Sequence, residues 1–157
     1  MGVSGAGKTR VGRALARKLG WPFLDADDFH SPSNVAKMRG GTPLEPSDRV
    51  AWLQAMRAAL AKVEETDGNA VLACSALQQA FRASLREGFN DLRFVHLKAD
   101  RELIRARVGR RGDHFMPVSL VDSQFETLEE PEDALVIDAS KAPEVIVQEI
   151  ARNLVGG

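Results

Sequence analysis

The residues most able to do chemistry stand at the very start of the chain. Gly2-Val-Ser-Gly-Ala-Gly7-Lys8-Thr9 fits the pattern G-x-x-x-x-G-K-[ST]. Glycines at these places let backbone N–H groups turn inward around an anion. Gly2, Ser4, Gly5, Ala6, Gly7, Lys8 and Thr9 are therefore the candidate nucleotide contacts. Lys8 has the reach for the β- and γ-phosphates of a nucleoside triphosphate, and the Thr9 hydroxyl is a ligand type that suits Mg²⁺. A helix beginning at Lys8 would direct its positive end at the same phosphates. The motif alone indicates a triphosphate, not what is done with it.

Two further groups carry chemistry. Asp25-Ala-Asp27-Asp28-Phe-His30 closes a short apolar run, Phe23-Leu24. Carboxylates at the carboxyl end of a parallel strand face the ligand crevice. Asp25 is placed to support the metal, and Asp27 to accept a proton from an attacking hydroxyl. Standing alone, the segment would read equally well as a solvated acidic turn. Arg107, Arg110 and Arg111 form the second group, with His114 just beyond and glycines at 109 and 112. Arginines on a glycine-hinged segment can close over a nucleotide and neutralise charge on a transferring phosphoryl group. Cys74, the single cysteine, is expected at a buried strand end, and Trp21 and Trp52 in packing.

The elements that must position these groups alternate along the chain. Val11, Leu15 and Leu19 have helical spacing over 8–19, with Gly20 as a stop. Val50, Leu53, Leu60 and Val63 mark a helix over 48–63, and Leu77, Phe81 and Leu85 another that stops near Gly88. Residues 70–74, 92–97 and 134–138 are apolar, extended runs. Helices are expected over 100–108, about 117–128, and through Ile146, Ile150 and Leu154. Short apolar strands between helices predict a three-layer α/β/α fold with a parallel sheet, in one domain spanning 1–157.

Composition excludes several classes. The chain of 157 residues has a formal net charge of -1, so no cationic excess exists to neutralise a nucleic-acid backbone. One cysteine permits no internal disulfide, and no His/Cys cluster has zinc spacing. Met1 to Arg10 lacks the apolar core of a signal peptide, and no apolar run nears membrane-spanning length. A soluble, cytoplasmic protein with neither nucleic-acid nor membrane partner is expected. A phosphate loop normally hangs from a buried strand, yet here it begins at Gly2. The expectation is that Met1 is internal to a longer natural chain or a misassigned start, with an apolar, β-branched segment just upstream.

Together these residues resemble the gluconokinase family, a branch of the adenylate-kinase-like P-loop kinases. The resemblance rests on the loop at 2–9 and on Asp25-x-Asp27-Asp28-Phe-His30-x-Pro-x-Asn34-x-x-Lys37-Met38-x-x-Gly41-x-Pro43-Leu44, followed by Asp48-Arg49-x-x-Trp52-Leu53. Cys74-Ser75-Ala76-Leu77, Arg82, Leu85-Arg86, Arg107, Arg111, His114-Phe115 and Ser123-Gln124-Phe125 extend it to about Asp138. The resemblance implies phosphorylation of D-gluconate by ATP to 6-phosphogluconate with Mg²⁺, an acceptor segment over 30–60, a lid over 107–122, and a possible homodimer. Thr9 and Asp25 would serve the metal, and Arg107 and Arg111 the nucleotide and the transferring group. Lys37, Arg49 and Arg82 are the candidate partners of the acceptor carboxylate, with His30 near a hydroxyl and His114 on the acceptor side. Two departures bear on the acceptor. Gln78 stands where the family usually has Lys, and Phe81-Arg82-Ala83 where it has Tyr-Arg-Asp. A kinase for another sugar acid or a shikimate-like acid, and a non-catalytic nucleotide-binding remnant, are the alternative readings.

Overall fold

A computed structural model describes residues 1–40, 42, 44–66, 68–110 and 118–155. Helix α1 (Lys8–Leu19) follows the phosphate loop, and Gly20 closes it in the left-handed conformation, with φ 70°. Strand β1 (Phe23–Asp25) passes into a 3₁₀ turn, Ala26–Phe29, and then helix α2 (Pro32–Arg39). Helix α3 (Pro46–Glu64), strand β2 (Val71–Ala73) and helix α4 (Gln79–Arg86) follow. Strand β3 (Phe94–Lys98), helices α5 (Arg101–Arg110) and α6 (Val118–Thr127), strand β4 (Ala134–Asp138) and helix α7 (Pro143–Val155) complete the order.

The expected α/β class holds, and both strand pairs are parallel. Helix α2 is the element that periodicity misses. It is defined by its ends: the Ser31 hydroxyl accepts the Asn34 N–H, and Pro32 sits in the first turn. Its buried residue is polar, Asn34, whose amide donates to the Asp48 carbonyl at 3.4 Å. A helix that buries an amide in place of an apolar stripe leaves no 3.6-residue hydrophobic signal. Helix α3 starts on a capping box between Glu45 and Asp48.

The larger core gathers Val11 and Leu15 of α1, Leu97 of β3, Ile137 of β4, and Ile146 and Ile150 of α7. A smaller one, around Ala26, Met56, Cys74 and Ala76, underlies Trp52 and Phe81. Cys74 is buried, as expected of a strand-end residue, and burial pushes its thiol pKa up. Among the described residues no helix is long and apolar enough to cross a membrane.

The single sheet expected from the sequence is instead two pairs, β1 with β2 and β3 with β4. Among the described residues, Met1 and Gly2 lie between them. The Met1 amino group donates to Val95 O at 2.5 Å, Leu97 N to Met1 O at 3.0 Å, and Gly2 N to Ser75 O at 3.1 Å. The first two bonds have the pattern of a parallel pairing with β3. Beside Met1 lies a cleft of about 540 Å³, whose walls include Val71, Ala73, Leu85, Phe94, Val95 and Leu154.

Burial, and secondarily Lys8, lowers the Met1 amino pKa from 8.0 to about 5. The unfolded chain therefore holds this proton more tightly. With a free amine at residue 1, stability is highest above pH 8 and falls as pH drops toward 5, by roughly 4 kcal/mol in all. Thermal unfolding of the chain at pH 5 and pH 8 is expected to show the lower melting temperature at pH 5. Equal stability at both values would refute this reading of the buried amine.

Candidate active site

The phosphate loop is shaped by close approach. A Cβ on Gly2 (φ 138°) would lie 2.8 Å from Leu97 O, so only glycine lets the chain leave β3's flank there. Gly7 precedes α1 in the left-handed conformation, φ 97°, and offers no side-chain cap. The first-turn N–H groups are thus left open for an anion. Not all the predicted nucleotide contacts stay available. Gly2 N–H is committed to Ser75 O, Ala6 N–H to Val3 O at 3.2 Å, and Ser4 N–H to Gln124 Oε1 at 2.6 Å. In this structure those three N–H groups are therefore turned away from the space an anion would fill. Gly5, Gly7, Lys8 and Thr9 keep N–H groups without an acceptor among the described residues.

Lys8 Nζ donates to Val3 O at 3.0 Å. Burial holds its pKa below the ordinary lysine value, while Cys74, Asp27 and Asp25 pull it upward. The Asp27 charge also acts on His30, against a downward shift caused mainly by burial. Asp27, exposed on the 3₁₀ turn, thus lies within the electrostatic reach of both Lys8 and His30. Thr9 Oγ1 donates to Asp25 Oδ2 at 3.1 Å, and the other Asp25 oxygen accepts Asp27 N–H at 3.1 Å. The two residues expected at the metal are brought together across 16 positions of sequence. A hydroxyl beside a carboxylate is a hard oxygen pair that fits Mg²⁺, which keeps its remaining places for water and phosphate. No trio of His, Cys, Asp or Glu side chains suited to holding a metal by itself occurs among the described residues.

Aromatic rings form one wall. His30 stacks on Trp52 at 4.6 Å and 7°, and Trp52 on Phe81 at 5.4 Å and 29°. Trp52 Nε1 donates to Ala26 O at 2.6 Å, which fixes the indole against the 3₁₀ turn. His30 Nδ1 is buried without a partner among the described residues. Such an atom is costly to leave unpaired, and a ligand hydroxyl would satisfy it. The sequence reading put Trp52 first in packing and, through the resemblance, in the acceptor block. Its place four residues after Asp48 in the acceptor block was the available signal.

The cations expected at the acceptor carboxylate separate sharply. Arg82 is buried, and all five of its N–H donors are engaged. Nη1 donates to Ala76 O and Leu77 O, both at 2.9 Å, and Nη2 to Glu129 O at 2.9 Å and Gln79 Oε1 at 2.8 Å; Nε shares that last oxygen at 3.2 Å. In this arrangement no Arg82 donor is turned to the expected acceptor carboxylate. Arg82 instead braces the turn at Ala76, a non-glycine residue at φ 45°. Lys37 pairs with Asp48 at 2.7 Å, and that hydrogen bond raises the lysine pKa and lowers the aspartate's. Arg49 is exposed on the first turn of α3, and its guanidinium has no partner among the described residues. Arg107 Nη2 donates to Ala139 O at 2.8 Å, beyond β4. Arg111 and His114 lie outside the described residues.

The chain is similar to known proteins in both sequence and fold. The family model described as shikimate kinase matches residues 4–155. A probable gluconokinase of Xenopus tropicalis is 44% identical over 96% of this chain and 88% of its own. A gluconokinase of Gluconobacter oxydans is 41% identical over 98% and 88%. The crystal structure of a gluconokinase from Sinorhizobium meliloti 1021 superposes with a TM-score of 0.82 at 38% identity, over 99% of this chain and 93% of that one.

Proposed function

The chain belongs to the family that the shikimate kinase model describes and, in it, to the gluconokinases, and from that premise we propose that it transfers the γ-phosphoryl group of ATP to D-gluconate, giving 6-phospho-D-gluconate. The observation that carries this reading is the convergence at one site of the loop lysine, the Thr9–Asp25 pair, Asp27, and the His30–Trp52 wall.

In the proposed reaction the loop N–H groups and Lys8 hold the β- and γ-phosphates. Thr9 and Asp25 would hold Mg²⁺, which supplies charge neutralisation across the phosphates when bound. The acceptor hydroxyl oxygen forms the new O–P bond, and its proton passes to Asp27. The bond from the γ-phosphorus to the bridging oxygen breaks, and ADP leaves with the electron pair. The stacked rings give the polyol chain a flat wall, with His30 near one of its hydroxyls. Arg107, together with Arg111 of the lid, is assigned to the nucleotide side. Arg49, with its guanidinium unengaged, is assigned to the acceptor carboxylate. Lys37 supports it indirectly by fixing Asp48, which precedes Arg49.

The test is ATP consumption over a panel of sugar acids and shikimate. Gluconate is expected to be turned over fastest. Preference for another acid would reassign the acceptor and direct attention to Gln78 and Ala83, the first two departures near the site. Arg49→Lys replaces a bidentate fork by a point charge. It is expected to raise the KM for gluconate roughly tenfold and to leave the KM for ATP near its original value. The reverse pattern would move Arg49 to the nucleotide side.

A further inference from the structure

We propose that Gln124 is a positioning residue for nucleotide binding, one that holds the phosphate loop in its anion-ready shape and ties that shape to helix α6. The proposal rests on the assignment of 2–9 as the phosphate loop. Gln124 lies on α6, 120 residues from its partner in the loop. Its Oε1 accepts the Ser4 N–H at 2.6 Å.

Val3 and Ala6 anchor the loop in the larger core, but its glycines leave the backbone between them permissive: Gly2, Gly5 and Gly7 all adopt positive φ. The Ala6–Val3 and Lys8–Val3 hydrogen bonds are internal to the loop and its lysine. Among the described residues, two backbone N–H groups of the loop reach outward, Gly2 to Ser75 and Ser4 to Gln124. The first fixes where the loop begins. The second fixes its rising limb, just before the open N–H groups of Gly5 and Gly7.

Gln124 is itself firmly placed. Asp122 on the same helix accepts both hydrogen bonds from Arg105 Nη2 at 2.7 Å, and the Arg101 guanidinium lies 5.3 Å over the Phe125 ring. Helices α5 and α6 are thereby joined. Helix α5 also touches the loop directly: a Cβ on Gly5 would stand 3.3 Å from Val108 and 3.4 Å from Ile104. The loop is thus bounded by α5 at Gly5 and tied to α6 at Ser4. Any movement of α6 away from the loop breaks the Ser4 hydrogen bond. Binding at the loop and the placement of α6 are coupled through it, and the coupling is reciprocal.

The experiment measures binding, not turnover, so it stands apart from the identity of the acceptor. Gln124→Met keeps length and helix propensity but has no comparable acceptor, and Gln124→Ala checks that the new side chain is not the cause. Glu126→Gln, on an exposed position of the same helix, is the control. Titration calorimetry with ATP and ADP is expected to show both Gln124 variants about fivefold to tenfold weaker, which corresponds to one ordinary hydrogen bond. The control binds as the unaltered chain does. The melting temperature without nucleotide and the KM for gluconate stay unchanged. Unaltered nucleotide affinity in both variants would overturn the proposal. So would an equal loss of gluconate affinity with a lowered melting temperature, which marks a merely structural residue. If the unaltered chain binds neither nucleotide, the phosphate-loop reading falls first and this one with it.

Discussion

Lys8→Ala reduces phosphoryl transfer by roughly 10³-fold or more, because it removes a point charge where negative charge concentrates in the transition state. The loss comes without unfolding. Burial depresses the Lys8 pKa, so at neutral pH the folded state carries a desolvation cost for this ammonium that the unfolded chain does not. Alanine removes that cost along with the single hydrogen bond to Val3 O. The melting temperature at pH 7 is therefore expected to stay level or rise while turnover collapses. Steady-state rates and thermal melts on one preparation check both halves. Turnover near the original level would remove Lys8 from the site. A large fall in melting temperature would show that its hydrogen bond, not its charge, matters most.

Asp27→Asn is expected to lower kcat by about 10²–10⁴-fold, the usual range for loss of a general base. The amide keeps the shape of the carboxylate but cannot take the hydroxyl proton. Asp27 also contributes its negative charge to the surroundings of Lys8 and His30. Its loss leaves the His30 pKa lower still, so the imidazole is neutral over a wider range of pH. ATP binding measured by calorimetry should persist. If kcat holds and only the KM for gluconate changes, Asp27 positions the acceptor and another group takes the proton.

Much of the site was legible because its parts are local. The phosphate loop and the start of α1 are fixed by glycines, a lysine and a threonine at set spacing. Asp25 and Asp27 follow β1 directly, so naming the strand names the carboxylates. Helix α1 and strand β4 fall within the bounds that apolar spacing predicts. Helix α2 was not legible, since it buries Asn34 and is defined by capping. Arg82 illustrates a related point. An arginine in a motif invites an anion, but whether its donors are free depends on carbonyls that folding brings to it. One of these, Glu129 O, is 47 residues away.

By itself, then, the sequence determined the class of chemistry: a triphosphate loop, a metal-side hydroxyl and carboxylate, and a proton acceptor, all encoded in short-range spacing. It also determined the α/β class, through apolar runs whose period follows from backbone geometry. Only the tertiary structure decided which groups are free to act. It spent the N–H of Ser4 on Gln124 and the guanidinium of Arg82 on the turn at Ala76. It stacked His30 on Trp52 and left Nδ1 unpaired. It divided the strands into two pairs, with Met1 and Gly2 hydrogen-bonded between them. The physical reason is common to all four. A donor's availability and a strand's neighbour are set by contacts between residues distant in sequence, and no local spacing records them.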